Sequence, residues 1–127
     1  MRIGHITLLV NDYDEAIAFY TQKLGFTLKE DTKLTEEKRW VVVAPSDNSA
    51  CGLLLAKAAN DEQKMHIGNQ TGGRVFLFLY TNDFWPTYER MQAQGVDFQE
   101  EPRSELYGWV VVFRDIYGNK WDLLESK

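Results

Sequence analysis

The amino-acid sequence predicts an α+β fold built from two tandem copies of a βαβββ unit. Two observations lead to this prediction: strand-like and helix-like segments follow one another in a fixed order, and the same order occurs twice. The chain has 127 residues, which is the usual length of one domain. We therefore expect a single domain, with a first module at 1–56, a linker at 57–73 and a second module at 74–127.

The first module opens with a short apolar run, residues 3–10, that is typical of a strand. Asn11-Asp12 then forms a helix N-cap signal, and apolar side chains recur at helical spacing until Gly25. Glycine suits the end of a helix because it tolerates a left-handed backbone. The helix is expected at 13–24, and three further strands at 26–31, 40–44 and 52–56.

The second module repeats this order. Its first strand is expected at 74–80, and Thr81-Asn82-Asp83 is the corresponding cap. A helix at 84–94 follows, with Pro86 tolerated in its first turn and Gly95 at its end. The remaining strands are expected at 96–100, 107–114 and 120–125, with a loop marked by Pro102 and Ser104.

The two modules superimpose in sequence at an offset near 70 residues. The matched positions are Asp12 with Asp83, Gly25 with Gly95, Trp40 with Trp109, and 53–55 with 121–123. Pairing the two sheets, with one helix on each outer side, would leave a trough between them. Strand alternation assigns His5, Thr7 and Leu9 in one module, and Phe76, Phe78 and Tyr80 in the other, to the trough side.

Composition argues against several kinds of partner. The formal net charge is −5, and 14 basic residues face 19 acidic ones without forming a basic stripe. Nucleic acid and anionic membrane surfaces are therefore not expected as partners. Cys51 is the single cysteine, and no run is long enough to span a membrane or to resemble a signal peptide. These features predict a reducing, cytoplasmic location.

Three segments carry a resemblance to a known family: Gly4-His5-Ile6-Thr7 through Asn11-Asp12, the stretch AIAFYTQKLGF at 16–26, and DIYGNKWDL at 115–123. On these residues the chain resembles the vicinal oxygen chelate superfamily. That group includes glyoxalase I, extradiol dioxygenases, methylmalonyl-CoA epimerase, and the fosfomycin and bleomycin resistance proteins. The resemblance spans nearly the whole chain, and it implies the paired βαβββ architecture and a homodimer.

The resemblance also implies where a metal would bind. Metal-dependent members place ligands at positions that correspond here to His5, Leu54, Phe76 and Asp122. Leucine and phenylalanine cannot coordinate a metal, and Asp122 stands where glutamate is usual. Because a catalytic metal site generally has about three protein ligands, His5 and Asp122 are weak candidates. We expect no cofactor, while a divalent metal remains possible.

The candidate ligand-binding residues are those expected to line the trough. They are His5, Thr7, Trp40, Phe76, Phe78, Tyr80, Tyr107, Trp109 and Asp122. Aromatic side chains offer stacking surfaces to planar ligands, although they equally serve to pack sheets together. Trp109 is the first choice among them, because its strand also carries Tyr107 and Val111 on the same face.

The polar candidates each have two interpretations. His5 is either a hydrogen-bonded histidine of the trough or a polar handle or general base for an organic ligand. Asp122 either orients His5, or it hydrogen-bonds neighbouring groups or points to water at the open edge. Arg39 and Arg74 flank strand starts, where an arginine binds an anion or is simply solvated.

These features predict a protein that binds a small organic molecule in an aromatic trough without a catalytic metal, as the bleomycin-resistance branch of the resembled family does. The alternative is a divalent-metal-dependent lyase, epimerase or dioxygenase of the same superfamily. A third possibility is a structural module whose trough is packed solid. The sequence leaves open whether the protein is an enzyme.

Overall fold

The computed structural model of the protein describes residues 1–126, with side chains up to Glu125. The chain divides into two compact units, one from Met1 to Ile67 and the other from Gly68 onward. Their boundary falls inside the expected linker, and each unit contains one predicted module. Both units combine a β-sheet with helix, so the predicted α+β fold class is confirmed.

Unit 1 contains four strands and two helices. The elements are β1 (His5–Val10), α1 (Tyr13–Ala18), β2 (Thr27–Lys33), β3 (Arg39–Ala44), β4 (Gly52–Lys57) and α2 (Asp61–Met65). The sheet order is β1-β4-β3-β2, with β1 parallel to β4 and the other pairs antiparallel. Helix α2 lies in the segment expected to be a polar linker.

The first helix begins and ends as the sequence predicts. The Asp12 carboxylate accepts the Glu15 N–H at 2.9 Å, which caps the N-terminus of α1. The helix continues beyond Ala18 as a π-helical segment, Phe19–Lys23, and Gly25 then adopts a φ of 77°. The side of the sheet beneath the helix includes Leu8, Val41, Val43 and Leu55, all of them buried.

Unit 2 repeats this topology with one additional short strand. Its elements are β5 (Leu77–Tyr80), α3 (Phe84–Ala93), β6 (Asp97–Phe98), β7 (Arg103–Glu105), β8 (Gly108–Arg114) and β9 (Lys120–Ser126). The order is β5-β9-β8-β6, and β7 also pairs with β8. The predicted loop around Pro102 and Ser104 is therefore partly wrong. Residues 103–105 form a hairpin with β8 through the two-residue turn Leu106-Tyr107.

The core of unit 2 is a chain of aromatic rings beneath α3. Phe84 stacks on Tyr88 with ring centroids 6.2 Å apart, and Tyr88 meets Phe98 edge-on at 4.6 Å. Phe113 stacks on Trp121 at 5.8 Å. Such pairs add to the free energy gained by burying their surface. The longest helix, α3, has ten residues, and no helix in the described part of the chain is long and apolar enough to cross a membrane.

The structure corrects the sequence overlay of the two modules in one strand. In unit 1 Val41 pairs with Leu55, and in unit 2 Val111 pairs with Leu123. Since Leu55 and Leu123 occupy equivalent places, Val41 corresponds to Val111, at an offset of 70 rather than 69. The predicted match of Trp40 with Trp109 is therefore wrong by one residue. In a strand, a slip of one residue moves a side chain to the opposite face.

Candidate functional site

Each sheet has one face under its helix and one face opposite, which we call the open face. On the open face of unit 1, His5 and Thr7 of β1 lie beside Gly52 and Leu54 of β4. Leu54 in turn lies beside Val42 of β3, and Trp40 is the next residue of β3 on that face. His5 and Thr7 are exposed while Leu8 and Val10 are buried, so the face assignment made from alternation is confirmed for β1.

A hollow of about 740 Å³ lies over one end of this face, a volume typical of small-molecule sites. We call it the Trp40 hollow. Its floor includes Thr7, Trp40, Leu54 and Ala56, and its walls come from the β2–β3 hairpin and from the segment that leads into α2. The aromatic side chains in its lining are the half-buried indole of Trp40 and the smaller phenol of Tyr13.

A second hollow, of about 320 Å³, adjoins the first on the same face. We call it the His5 hollow. Its floor consists of small side chains around His5, and Arg2, Lys29 and Glu30 stand at its rim. The rings of His5 and Trp40 meet edge-on with centroids 5.8 Å apart, so this contact lies between the two hollows.

Arg39 borders the Trp40 hollow, but its charge is already compensated. Its guanidinium donates to Asp31 at 2.6 and 3.1 Å and to Asp14 at 2.9 Å, and it lies over the Tyr13 ring at 5.2 Å. The hydrogen bond from Arg39 lowers the pKa of Asp31 below its ordinary value. Two carboxylates thus accept three of the five N–H groups of Arg39 and offset its charge, so the structure does not favour Arg39 as an anion-binding residue.

The open face of unit 2 carries exposed aromatic side chains. Phe78 and Tyr80 are 58% and 63% exposed, while Leu77 and Leu79, which alternate with them, are half-buried. Asp122 lies between Phe78 and Val112 in the sheet. Its carboxylate makes no hydrogen bond within residues 1–126. Burial raises its pKa, the nearby Arg103 opposes this and Glu100 adds to it.

Two predicted lining residues do not lie where alternation placed them. Trp109 stacks on Phe84 at 6.3 Å and meets Trp85 at 5.2 Å, so it packs under α3 and not on the open face. Tyr107 lies in the turn between β7 and β8, where strand alternation does not apply. Trp109 and Val111 do share a face of β8, but it is the face under α3, so Trp109 does not line the open face as expected.

Phe76 precedes β5. Its N–H donates to the carbonyl of Lys120 at 2.7 Å, and its half-buried ring meets Trp121 at 6.3 Å.

Sequence reasoning missed the residues that shape the two hollows, above all Gly52, Arg2 and Lys29. The pairing of β1 with β4 puts Gly52 beside His5, and this register has no signal in the sequence.

The residues at the implied metal positions do not form a suitable donor set. Leu54 and Phe76 offer no donor atom, and in the described part of the chain no three His, Cys, Asp or Glu side chains group together in a way that could hold a metal. His66 is exposed on the segment after α2. The positions thus supply two donors where about three are needed.

Two units with the same first-fourth-third-second strand order, each with one helix-covered and one open face, define a duplicated βαβββ protein. The chain belongs to the Glyoxalase/Bleomycin resistance protein/Dioxygenase superfamily, whose family model matches residues 2–123. The family expected from the sequence motifs is thereby confirmed.

Three relatives illustrate this membership. A protein of Shewanella frigidimarina (strain NCIMB 400) that carries no functional name is 58% identical over 124 residues, which is 97% of this chain and 92% of the relative. The crystal structure of UcmS2 matches with a TM-score of 0.85 and 35% identity, over 98% of this chain and 97% of that one. TnmS3, an antibiotic binding protein from Streptomyces sp. CB03234, matches with a TM-score of 0.82 and 25% identity, over 100% and 97% of the two chains.

Proposed function

We propose that this protein binds a small organic molecule with an aromatic portion, and that it does so without a catalytic metal. The observation that carries the proposal is the Trp40 hollow, which has the volume of a small-molecule site and an indole in its lining. An indole offers a flat apolar surface together with an N–H donor, and Thr7 adds a hydroxyl on the same floor.

Family membership supports this proposal. TnmS3, which is similar over the full length of the chain, is described as an antibiotic binding protein. The apolar residues Leu54 and Phe76 at implied ligand positions support binding rather than metal-assisted chemistry, because they raise the cost of placing an ion beside them. The proposed role is sequestration of an aromatic molecule.

Ligand titration tests the role of Trp40. N-phenyl-1-naphthylamine, an uncharged aromatic probe, is expected to bind, and Trp40→Leu is expected to weaken its binding by about tenfold, since base-sized rings gain roughly 1–3 kcal/mol from stacking on aromatic side chains. Probe fluorescence measures both affinities. Trp109→Phe is the matched control and should leave the affinity unchanged, because Trp109 packs under α3. Equal losses in the two variants would contradict the proposal.

Elemental analysis tests the absence of a catalytic metal. Protein purified without a histidine tag and incubated with Zn²⁺, Ni²⁺, Mn²⁺ or Fe²⁺ is expected to retain well below one ion per chain, because the implied positions supply only two donors. His5→Ala should retain the same amount. Near-stoichiometric metal that disappears in His5→Ala would favour the metal-dependent enzyme instead.

A further inference from the structure

We propose that the ligand is an anionic aromatic molecule, with its acidic group in the His5 hollow and its ring against Trp40. This inference rests on the proposed function, and it adds the charge and the orientation of the ligand. The acidic group belongs to the class of carboxylates, sulfonates and phosphates. Three features of unit 1 support it: the adjacency of the two hollows, the space beside His5 and the charges at the rim.

The two hollows are neighbours along the same face of the sheet. Gly52 lines the His5 hollow and Leu54 lines the Trp40 hollow, and they are successive open-face residues of β4. Alternate residues of a strand are about 7 Å apart. A molecule of two or three fused or linked rings can therefore reach from Trp40 to His5.

The His5 hollow exists because the surrounding residues are small. A Cβ placed on Gly52 would lie 2.7 Å from the Cγ1 of Val42 and 3.1 Å from the carbonyl oxygen of Val43, so a larger residue there requires these neighbours to shift. Gly4 likewise has no side chain, and a Cβ there would lie 3.6 Å from the Nη1 of Arg2. The guanidinium consequently lies close to the start of β1, beside the hollow.

The rim of the His5 hollow has an excess of positive charge, although the whole protein carries −5. Arg2 donates to the Ala50 carbonyl at 2.8 Å, and Lys29 donates to the Asp47 carbonyl at 2.6 Å. Bonds to backbone carbonyls hold these cations in place without neutralising them. The Asp47 carboxylate lies 4.0 Å from Lys29 and is 80% exposed, so it compensates the lysine weakly.

Among the described residues, Glu30 is the one carboxylate that lines this hollow, against the two cations Arg2 and Lys29. The contrast with Arg39 is direct, since two carboxylates contact that guanidinium. An anionic group on the ligand would therefore gain charge-assisted hydrogen bonds from Arg2 and Lys29. Because the rings of His5 and Trp40 are in contact, the aromatic portion of the same ligand would lie next to this group, against Trp40.

A matched pair of probes tests the inference. 8-Anilinonaphthalene-1-sulfonate and N-phenyl-1-naphthylamine share one ring system and differ by the sulfonate. The anionic probe is expected to bind about tenfold more tightly, and its advantage should shrink as NaCl is added. The double variant Arg2→Gln/Lys29→Gln should remove this advantage and leave the affinity for the neutral probe unchanged.

Lys23→Gln removes an exposed positive charge from the π-helical segment and should change neither affinity. Trp40→Leu should weaken the binding of both probes. Such a loss would exclude binding of the probes to other apolar surfaces of the protein. Equal affinities of the two probes, or an undiminished advantage in the double variant, would overturn the inference and leave the proposed function standing. Failure of both probes to bind would overturn the proposed function itself.

Discussion

At the level of single residues, two aspartates have opposite electrostatic surroundings. Asp122 is half-buried without a hydrogen-bond partner in the described part of the chain, and burial raises its pKa from the ordinary 3.8. Asp31 receives two hydrogen bonds from Arg39, which lower its pKa. Compared with the unfolded chain, the folded protein therefore binds a proton more readily at Asp122 and less readily at Asp31.

We expect Asp122→Asn to stabilise the protein at pH 7 and to have a smaller effect at pH 3. A carboxyl with a raised pKa costs no stability below its ordinary pKa, and its cost grows as pH rises from about 4 through the folded-state value. Urea unfolding midpoints at the two pH values measure the change. Identical effects at both pH values would show that ionisation of Asp122 does not matter.

The substitution Asp31→Asn is expected to change the stability of the protein in the opposite direction from Asp122→Asn. Its carboxylate stabilises the fold above about pH 4, and this stabilisation is lost as pH falls through its lowered pKa. The variant should therefore be destabilised at pH 7 and approach the wild type in acid. The effect is expected to be modest, because the Asp31 and Arg39 side chains remain about 30% and 27% exposed.

At the level of secondary-structure elements, the two modules use different residues at equivalent places. Asp12 caps α1, whereas the side chain of Asp83 makes no capping hydrogen bond to α3. Glu125 of β9 instead accepts the Phe84 N–H at 2.7 Å. Likewise, Trp109 stacks on Phe84 in the place where Arg39 lies over Tyr13 in the first module.

Asp12→Ala and Asp83→Ala should therefore differ in their effects, although the sequence matches the two positions. Loss of the Asp12 cap is expected to lower the free energy of unfolding by about 1 kcal/mol. Asp83→Ala is expected to change it by no more than a few tenths of that value, because no capping bond is lost. Chemical denaturation measures both. Equal losses would contradict the assignment of the α3 cap to Glu125.

Most elements could be predicted from periodicity and end signals, because a helix or strand depends on neighbours in the sequence. The errors lie where distant segments decide the outcome. Residues 103–105 form strand β7 because their backbone pairs with that of β8. Trp109 lies on the face opposite to the predicted one because the pairing with β9 sets the register of β8. The open face of β1 was predicted correctly, while the hollows above it were not.

At the level of the whole molecule, the open face of unit 2 carries exposed aromatic residues, and we propose that a homodimer covers them. Phe78 and Tyr80 expose more than half of their surface to water in the single chain, and covering such surface is favourable. The homodimer expected from the family resemblance would provide a cover for it.

We therefore expect a mass in solution of twice the 14.7 kDa of the chain, measured by light scattering after size exclusion. Phe78→Glu/Tyr80→Glu should lower the association constant by at least tenfold, since it places two charges on the covered surface. Met65→Glu, on an exposed residue of α2, is the control and should leave the mass unchanged. A monomeric wild type would show that these residues are not covered in this way.

The sequence by itself determined the duplicated βαβββ order, the approximate extent of the first helix of each module and the side of β1 that carries His5 and Thr7, because each depends on local periodicity and local backbone preference. Only the tertiary structure decided that Trp109 lies under α3, that Glu125 caps that helix, and that Asp14 and Asp31 neutralise Arg39. It also placed Gly52 beside His5, which opens the hollow proposed to bind the ligand. These contacts join residues 8 to 47 positions apart, and no local preference specifies which distant residues meet.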